Sequence, residues 1–217
     1  MHTLRFADRK PAVGEYANIL QPPSSVCDVT YWLNYTNQEK EQNLPTINTA
    51  VEATTLNERT LRLRSQDHFI CDNIGPEDIL IVSVGGNDVA LLPTPCTIAS
   101  MAGSLCLPEK CIEGGFTCCS LPGDDWCCGC GPSLLSCAGA CPPCIGYFRH
   151  MFGTRVQKYI ERITSKTKPK KILVCMVYYL DENVTPSWAG GALRAMGYDS
   201  NPAKLQLLIR KTFEEAT

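Results

Sequence analysis

The sequence contains only three histidines, His2, His68 and His150. That limits where an imidazole base can stand. No apolar run approaches the length of a membrane-crossing helix, so no membrane span is expected. The first ten residues, Met1 to Lys10, hold no apolar core of the kind a secretory leader needs. No signal peptide is visible, which favours the cytoplasm. Basic tracts are also scarce. The formal net charge is −2 over 217 residues, and the cluster Lys168 to Lys171 reads as a solvated turn before a strand. Electrostatics therefore give no reason to expect a nucleic-acid partner. Disorder is excluded by 44% hydrophobic against 19% charged residues, a globular balance that suits one domain with a large core. No strand is legible before Pro45. Pro11, Pro22 and Pro23 interrupt longer elements, and Asn34 to Gln42 is polar.

What is present centres on Asp78-Ile-Leu-Ile-Val-Ser-Val-Gly-Gly-Asn-Asp88. No charge interrupts Ile79 to Val84, and the run is rich in β-branched residues. It predicts a strand buried on both faces, as in a parallel α/β sheet. The strand stops at Gly85-Gly86, and a carboxamide and a carboxylate follow. Ligands of open α/β sheets bind beyond the carboxyl ends of the strands. A purely structural alternative is a glycine turn with Asn87 in the left-handed region and Asp88 capping the next helix.

Around this stretch the pattern alternates. Thr46 to Val51 is a short strand candidate, Thr54 to Arg64 is mildly helical, and Gln66 to Asn73 suggests another helical turn. Gly75 to Asp78 is a turn. Thr97 to Leu107 predicts a short apolar helix. Tyr147, Phe148, Met151, Phe152, Val156, Tyr159, Ile160 and Ile163 fall mostly on one stripe of a helix from about Cys144 to Lys166, with His150 on its polar flank. Lys171 to Leu180 is a second buried strand, and Asp181 to Ser187 its loop. Ala192 to Met196 is a further helical candidate. Pro202 opens a last helix near its first position, with Leu205, Leu208, Ile209, Thr212 and Phe213 on its apolar face. Strand–helix alternation of this kind argues for an α/β fold, a three-layer α/β/α parallel sheet of flavodoxin-like type. Ile79–Val84 and Ile172–Tyr178 should be parallel neighbours or near-neighbours in it.

Between the halves of this frame lies a cysteine-rich stretch. Eleven of the 14 cysteines fall from Cys96 to Cys144, and residues 96–143 read as an insertion that starts at the carboxyl edge of the sheet, loosely packed. Cys127-Cys-Gly-Cys130 with Cys141-Pro-Pro-Cys144 has a C-x2-C…C-x2-C form that suits tetrahedral zinc. Disulfides, in an exported protein, are an alternative, for which the sequon at Asn34-Tyr-Thr36 speaks. A thiol-rich surface loop without fixed chemistry carries the most weight, so no metal or cofactor is assigned.

Ile79-Leu-Ile-Val-Ser-Val-Gly-Gly-Asn-Asp88 resembles the third block of the SGNH (GDSL-like) hydrolases, Gly-x-Asn-Asp at the end of a buried strand. The resemblance covers roughly residues 45–217. It implies a single SGNH-like domain and an ester hydrolase acting on a small-molecule acyl or acetyl ester. It also implies that Asn87 donates its side-chain amide to the oxyanion, with Gly85 as the block's first glycine turning the backbone. Asn48 to Ala53 looks like the family's second block, whose glycine amide joins the oxyanion hole. Here Ala50 and Ala53 stand where glycine is expected. The family's Gly-Asp-Ser is missing before Thr46 and its Asp-x-x-His is missing altogether, so neither nucleophile nor base is assigned. The expectation is therefore an esterase-like chain that is shortened at both ends, or a weakly active or inactive relative. A non-catalytic α/β binding module and a cysteine-rich metal-binding interaction protein are the alternatives.

Overall fold

The computed structural model describes residues 9–114, 144–179, 194 and 197–216. It divides into two compact units, Met1–Ala50 and Val51–Thr217. In the first, β1 (Arg9–Pro11) pairs antiparallel with β2 (Ser24–Val26), Arg9 opposite Val26. A single helical turn, α1 (Tyr16–Ile19), lies between them. Helix α2 (Val29–Glu39) follows, and the Asp28 side chain accepts from the Tyr31 amide at 2.8 Å to cap it.

Three readings change here. Strands do occur before Pro45, but they are three residues each, too short for periodicity to register. The polar Asn34–Gln42 run is mostly the second half of α2, a helix that buries Asn34 as well as Tyr31. The expected strand at Thr46–Val51 does not form. The Asn34 carboxamide takes the place of a strand partner: it accepts from the Thr46 amide at 2.8 Å and donates to the Thr46 carbonyl at 3.0 Å.

The second unit is mixed α/β. Helices α3 (Leu56–Leu61) and α4 (Ser65–Asn73) lead into β3 (Ile79–Val82). Gly75 and Asp78 make the turn before it, with the Asp78 carboxylate accepting from the Gly75 amide at 2.7 Å. After β3 come α5 (Gly86–Ala90), α6 (Pro95–Cys106) and α7 (Glu109–Glu113). Thr94 caps α6, accepting from the Thr97 amide, and Pro95 occupies its first turn. A continuous helical rod then runs through α8 (Cys144–Arg149), a π segment (His150–Arg155) and α9 (Val156–Ile163). It leads to β4 (Lys171–Val174) and the last helix, α10 (Pro202–Ala216).

β3 and β4 are parallel neighbours, Leu80 opposite Ile172 and Val82 opposite Val174. The ladder continues at both ends, through Lys170 N–H to the Asp78 carbonyl and Cys175 N–H to the Val82 carbonyl. The rod lies between them in sequence, as the alternation required. Its buried residues Tyr147, Phe148, Met151, Phe152, Val156, Tyr159 and Ile163 form the main core with Leu56, Leu80, Val82 and Phe213. A second cluster joins Ile112 of α7 to Tyr198, Leu205 and Leu208.

Burial on both faces of the strands is not what is found. Leu80 is 8% exposed but Ile79 is 48% exposed, and all four residues of β4 are exposed. Among the described residues the helices cover one face, so β3 alternates as a one-sided strand does. His150 lies within the rod and is buried, not on a polar flank. The part of the cysteine-rich stretch that is described is helical: α6 buries Thr97, Ser100 and Ser104, and α7 buries Ile112. The remainder, with Cys127, Cys130 and Cys141, lies outside the described residues, as do Asp181–Ser187 and most of Ala192–Met196. No helix among the described residues is long and apolar enough to cross a membrane.

Gly85 tests how tightly this frame closes. Its φ is 94°, and a Cβ built there would lie 2.7 Å from Cε1 of Phe152. Gly85→Ala should destabilise by about 2–4 kcal/mol, from left-handed strain plus overpacking. A Cβ on the neighbouring Gly86 meets nothing within 4 Å, so Gly86→Ala should be neutral or stabilising by up to about 1 kcal/mol. Urea unfolding of both variants measures the contrast.

Candidate functional site

The turn after β3 gathers the residues singled out in the sequence. The left-handed residue is Gly85, not Asn87. Only a glycine fits there, because the backbone lies against the Phe152 ring. Asn87 follows, half-buried on the first turn of α5. Its Nδ2 donates to the Thr54 carbonyl at 2.9 Å. A carboxamide nitrogen carries two hydrogens. This bond fixes the plane of the group with one of them and leaves the second to donate elsewhere.

Asp88 does not cap the segment that follows it. It lies inside α5, fully buried, and reaches back across the sequence. Oδ2 accepts from the Leu56 amide at 2.7 Å and Oδ1 from the Asn57 amide at 2.8 Å. Thr55 Oγ1 accepts from the Glu58 amide at 3.2 Å. Three of the orphan N–H groups at the start of α3 are thereby satisfied, two of them by a remote carboxylate. Arg155 of the π segment donates to Asn57 Oδ1, and its guanidinium lies 5.8 Å from the Tyr147 ring centroid.

The loop before α3 is the other half of the site. Ala53 has a φ of 59° and is exposed. A non-glycine residue in the left-handed region carries about 1–2 kcal/mol of strain. It stands in the stretch that looks like the family's second block, and it is the position of the two alanines that adopts a glycine-like backbone. Thr54, next along, supplies the carbonyl that Asn87 binds. Gly85, Asn87, Ala53 and Thr54 are thus brought together at one strand's carboxyl end. The histidines differ in setting: His68 is exposed on α4, and His150 is buried in the rod.

Sequence reasoning missed Arg59, Asp67 and Arg155, and read Tyr159 only as part of the apolar stripe; all four brace these loops from behind. A signal existed in their spacing. Arg59 stands three residues from Leu56, and Tyr159 stands three from Val156, on faces that the apolar residues mark as inward.

Comparison with protein-family models, with curated proteins and with solved structures returns no match for this chain.

Burial raises the Asp88 carboxyl above its ordinary value of 3.8, against the lowering effect of the Leu56 and Asn57 amides and of Arg155. A folded-state pKa above the unfolded one means that the folded state holds a proton the unfolded chain has released. The contribution to stability is full below 3.8 and declines as pH rises through the elevated value. Asp88→Asn removes this titration along with an acceptor for a backbone N–H. The variant should lose about 1–3 kcal/mol near neutral pH. Its deficit against the wild type should be larger at pH below 3.8 than above the elevated pKa. Paired urea titrations across that window check the sign.

Proposed function

We propose that the turn after β3 is the oxyanion half of an SGNH-type ester hydrolase site, taking small acyl or acetyl esters. The observation that carries this reading is the bond from Asn87 Nδ2 to the Thr54 carbonyl, which sets a neutral donor beside Ala53 and its left-handed backbone. A tetrahedral intermediate puts negative charge on the former carbonyl oxygen. Donors that are already oriented stabilise that charge without having to reorganise as it forms. In this reading the free hydrogen of Asn87 and the Ala53 N–H converge on that oxygen, and Gly85 sets the turn that aims Asn87. Asp88 cannot share the role, because both its oxygens are turned to the α3 amides and accept from them.

We take β3 and β4 as the centre of a three-layer, flavodoxin-like sheet. Their parallel pairing supports this, as do the helices on one face and the apolar Ile79, Ile81 and Leu173 on the other. Parallel sheets in proteins carry helices on both faces. The nucleophile and the base stay unassigned: a hydroxyl without an adjacent base attacks esters poorly.

Hydrolysis of p-nitrophenyl acetate by this chain, and by any longer product of the same gene, tests the reading. This chain alone should turn over little ester. In an active form, Asn87→Ala should lower kcat about a hundredfold, about 3 kcal/mol, while KM moves little. An unchanged kcat with reduced stability would return Asn87 to a structural role. Absence of turnover in every form would favour a non-catalytic binding module.

A further inference from the structure

The loop that carries Ala53 and the Thr54 carbonyl is gripped from behind by a buried charged network. Arg59 is 5% exposed and Asp67 is 2% exposed. The Arg59 Nη1 donates to Thr54 Oγ1 at 2.7 Å and to the Thr55 carbonyl at 3.2 Å. Its Nε donates to Asp67 Oδ1 at 3.2 Å. The Tyr159 hydroxyl donates to the same oxygen at 2.8 Å, and the Arg59 guanidinium lies 5.9 Å from the Tyr159 ring centroid. Asp67 Oδ2 accepts from the Arg64 amide at 2.8 Å, which anchors the carboxylate to the start of α4.

The far end of this network is the Thr54 hydroxyl. It accepts from Arg59 and donates its own hydrogen to the Val51 carbonyl at 2.7 Å. That bond closes the turn Val51–Thr54 around Ala53, the strained residue. The same residue's carbonyl holds the Asn87 amide. One guanidinium therefore fixes, through one threonine, both groups that face the site. Stability alone is a weak reason for such a network, since buried ion pairs contribute little beyond what apolar residues of the same volume would. Arg59 divides its donors: Nε holds Asp67 in the core, and Nη1 reaches out to the Thr54–Thr55 loop.

We infer that Arg59 is a positioning residue for the oxyanion site, aligning the Asn87 carboxamide and the Ala53 N–H through Thr54, with Asp67 and Tyr159 holding its guanidinium in place. This rests on the reading of the turn as an oxyanion site. Lysine at position 59 keeps the charge but presents a single nitrogen, which cannot bond Asp67 and Thr54 with a fork's geometry. Valine at position 54 keeps the shape and the carbonyl but breaks the relay.

The test uses Arg59→Lys and Thr54→Val in the full 217-residue chain, read in 15N spectra by the amide–α-proton coupling of Ala53, which reports its φ of 59°, and by hydrogen exchange of the Asn87 carboxamide. In each variant the Ala53 coupling should move toward the averaged value of a mobile loop, and the Asn87 carboxamide should exchange about tenfold faster, the scale of one weakened hydrogen bond. Backbone amides of α9 should keep their wild-type protection. If Arg59→Lys does not fold, Thr54→Val carries the test. An unchanged Ala53 coupling with unchanged Asn87 exchange, or a uniform rise in exchange that includes α9, would overturn the inference. In an esterase-active form, Thr54→Val should also lower kcat about tenfold at constant KM. Local loosening of both groups in a protein that hydrolyses no ester would sink the hydrolase reading and leave the alignment by Arg59 standing.

Discussion

The second unit depends on one carboxylate. Asp88 is completely buried, and its two oxygens bond the Leu56 and Asn57 amides. The helix that they start has only six residues, too few to hold itself in water. Asp88 gives that helix a fixed origin at the carboxyl end of β3. The groups around that origin inherit its position: the Thr55 cap just before it, Arg59 one turn on, and the Asn57 oxygen that Arg155 reaches from the rod. The carboxyl's burial is costly, as its raised pKa registers. Two backbone donors and a nearby guanidinium offset that cost, which is the condition for keeping such a group inside.

The same constraint explains the division of labour in the Gly-Gly-Asn-Asp turn. Gly85 supplies a backbone shape that the Phe152 ring leaves no room to vary. Asn87 and Asp88 then point to two consecutive parts of one upstream segment, the Thr54 carbonyl and the start of α3. The pair acts as a clasp: the amide takes an acceptor and the carboxylate takes donors.

The sequence made legible what periodicity and punctuation encode. The apolar runs at Ile79 and Ile172 located both strands, and their parallel pairing followed from the helix between them. Pro202 marked the start of the last helix, whereas the helix expected from Thr97 begins two residues earlier, at Pro95. What stayed hidden depends on distant partners. The reach of Asp88 to Leu56 crosses 32 residues, and that of Tyr159 to Asp67 crosses 92. Local pattern holds no record of either. Thr46–Val51 misled because β-branching is a preference for a half-buried pleat, and here a side-chain amide met the backbone instead. Burial on both faces of β3 was inferred from apolar content, whereas content says nothing of which face a neighbour covers. The glycine-like backbone at Ala53 was the least legible of all, since glycine, asparagine and aspartate, not alanine, are the residues that signal it.

The π segment in the rod has a bearing on ancestry. A π turn accommodates one residue more than an α turn. His150–Arg155 therefore marks a place where the chain length and the helical phase are out of step. Removing one residue from it would restore an α-helix and rotate one end of the rod against the other by about 100°. Tyr147, which touches Thr97 at 2.6 Å, and Tyr159, which touches Asp67, could not then both keep their partners. Related chains that bind both partners through this rod should share its length to the residue, while the loops at its two ends are free to grow or shrink.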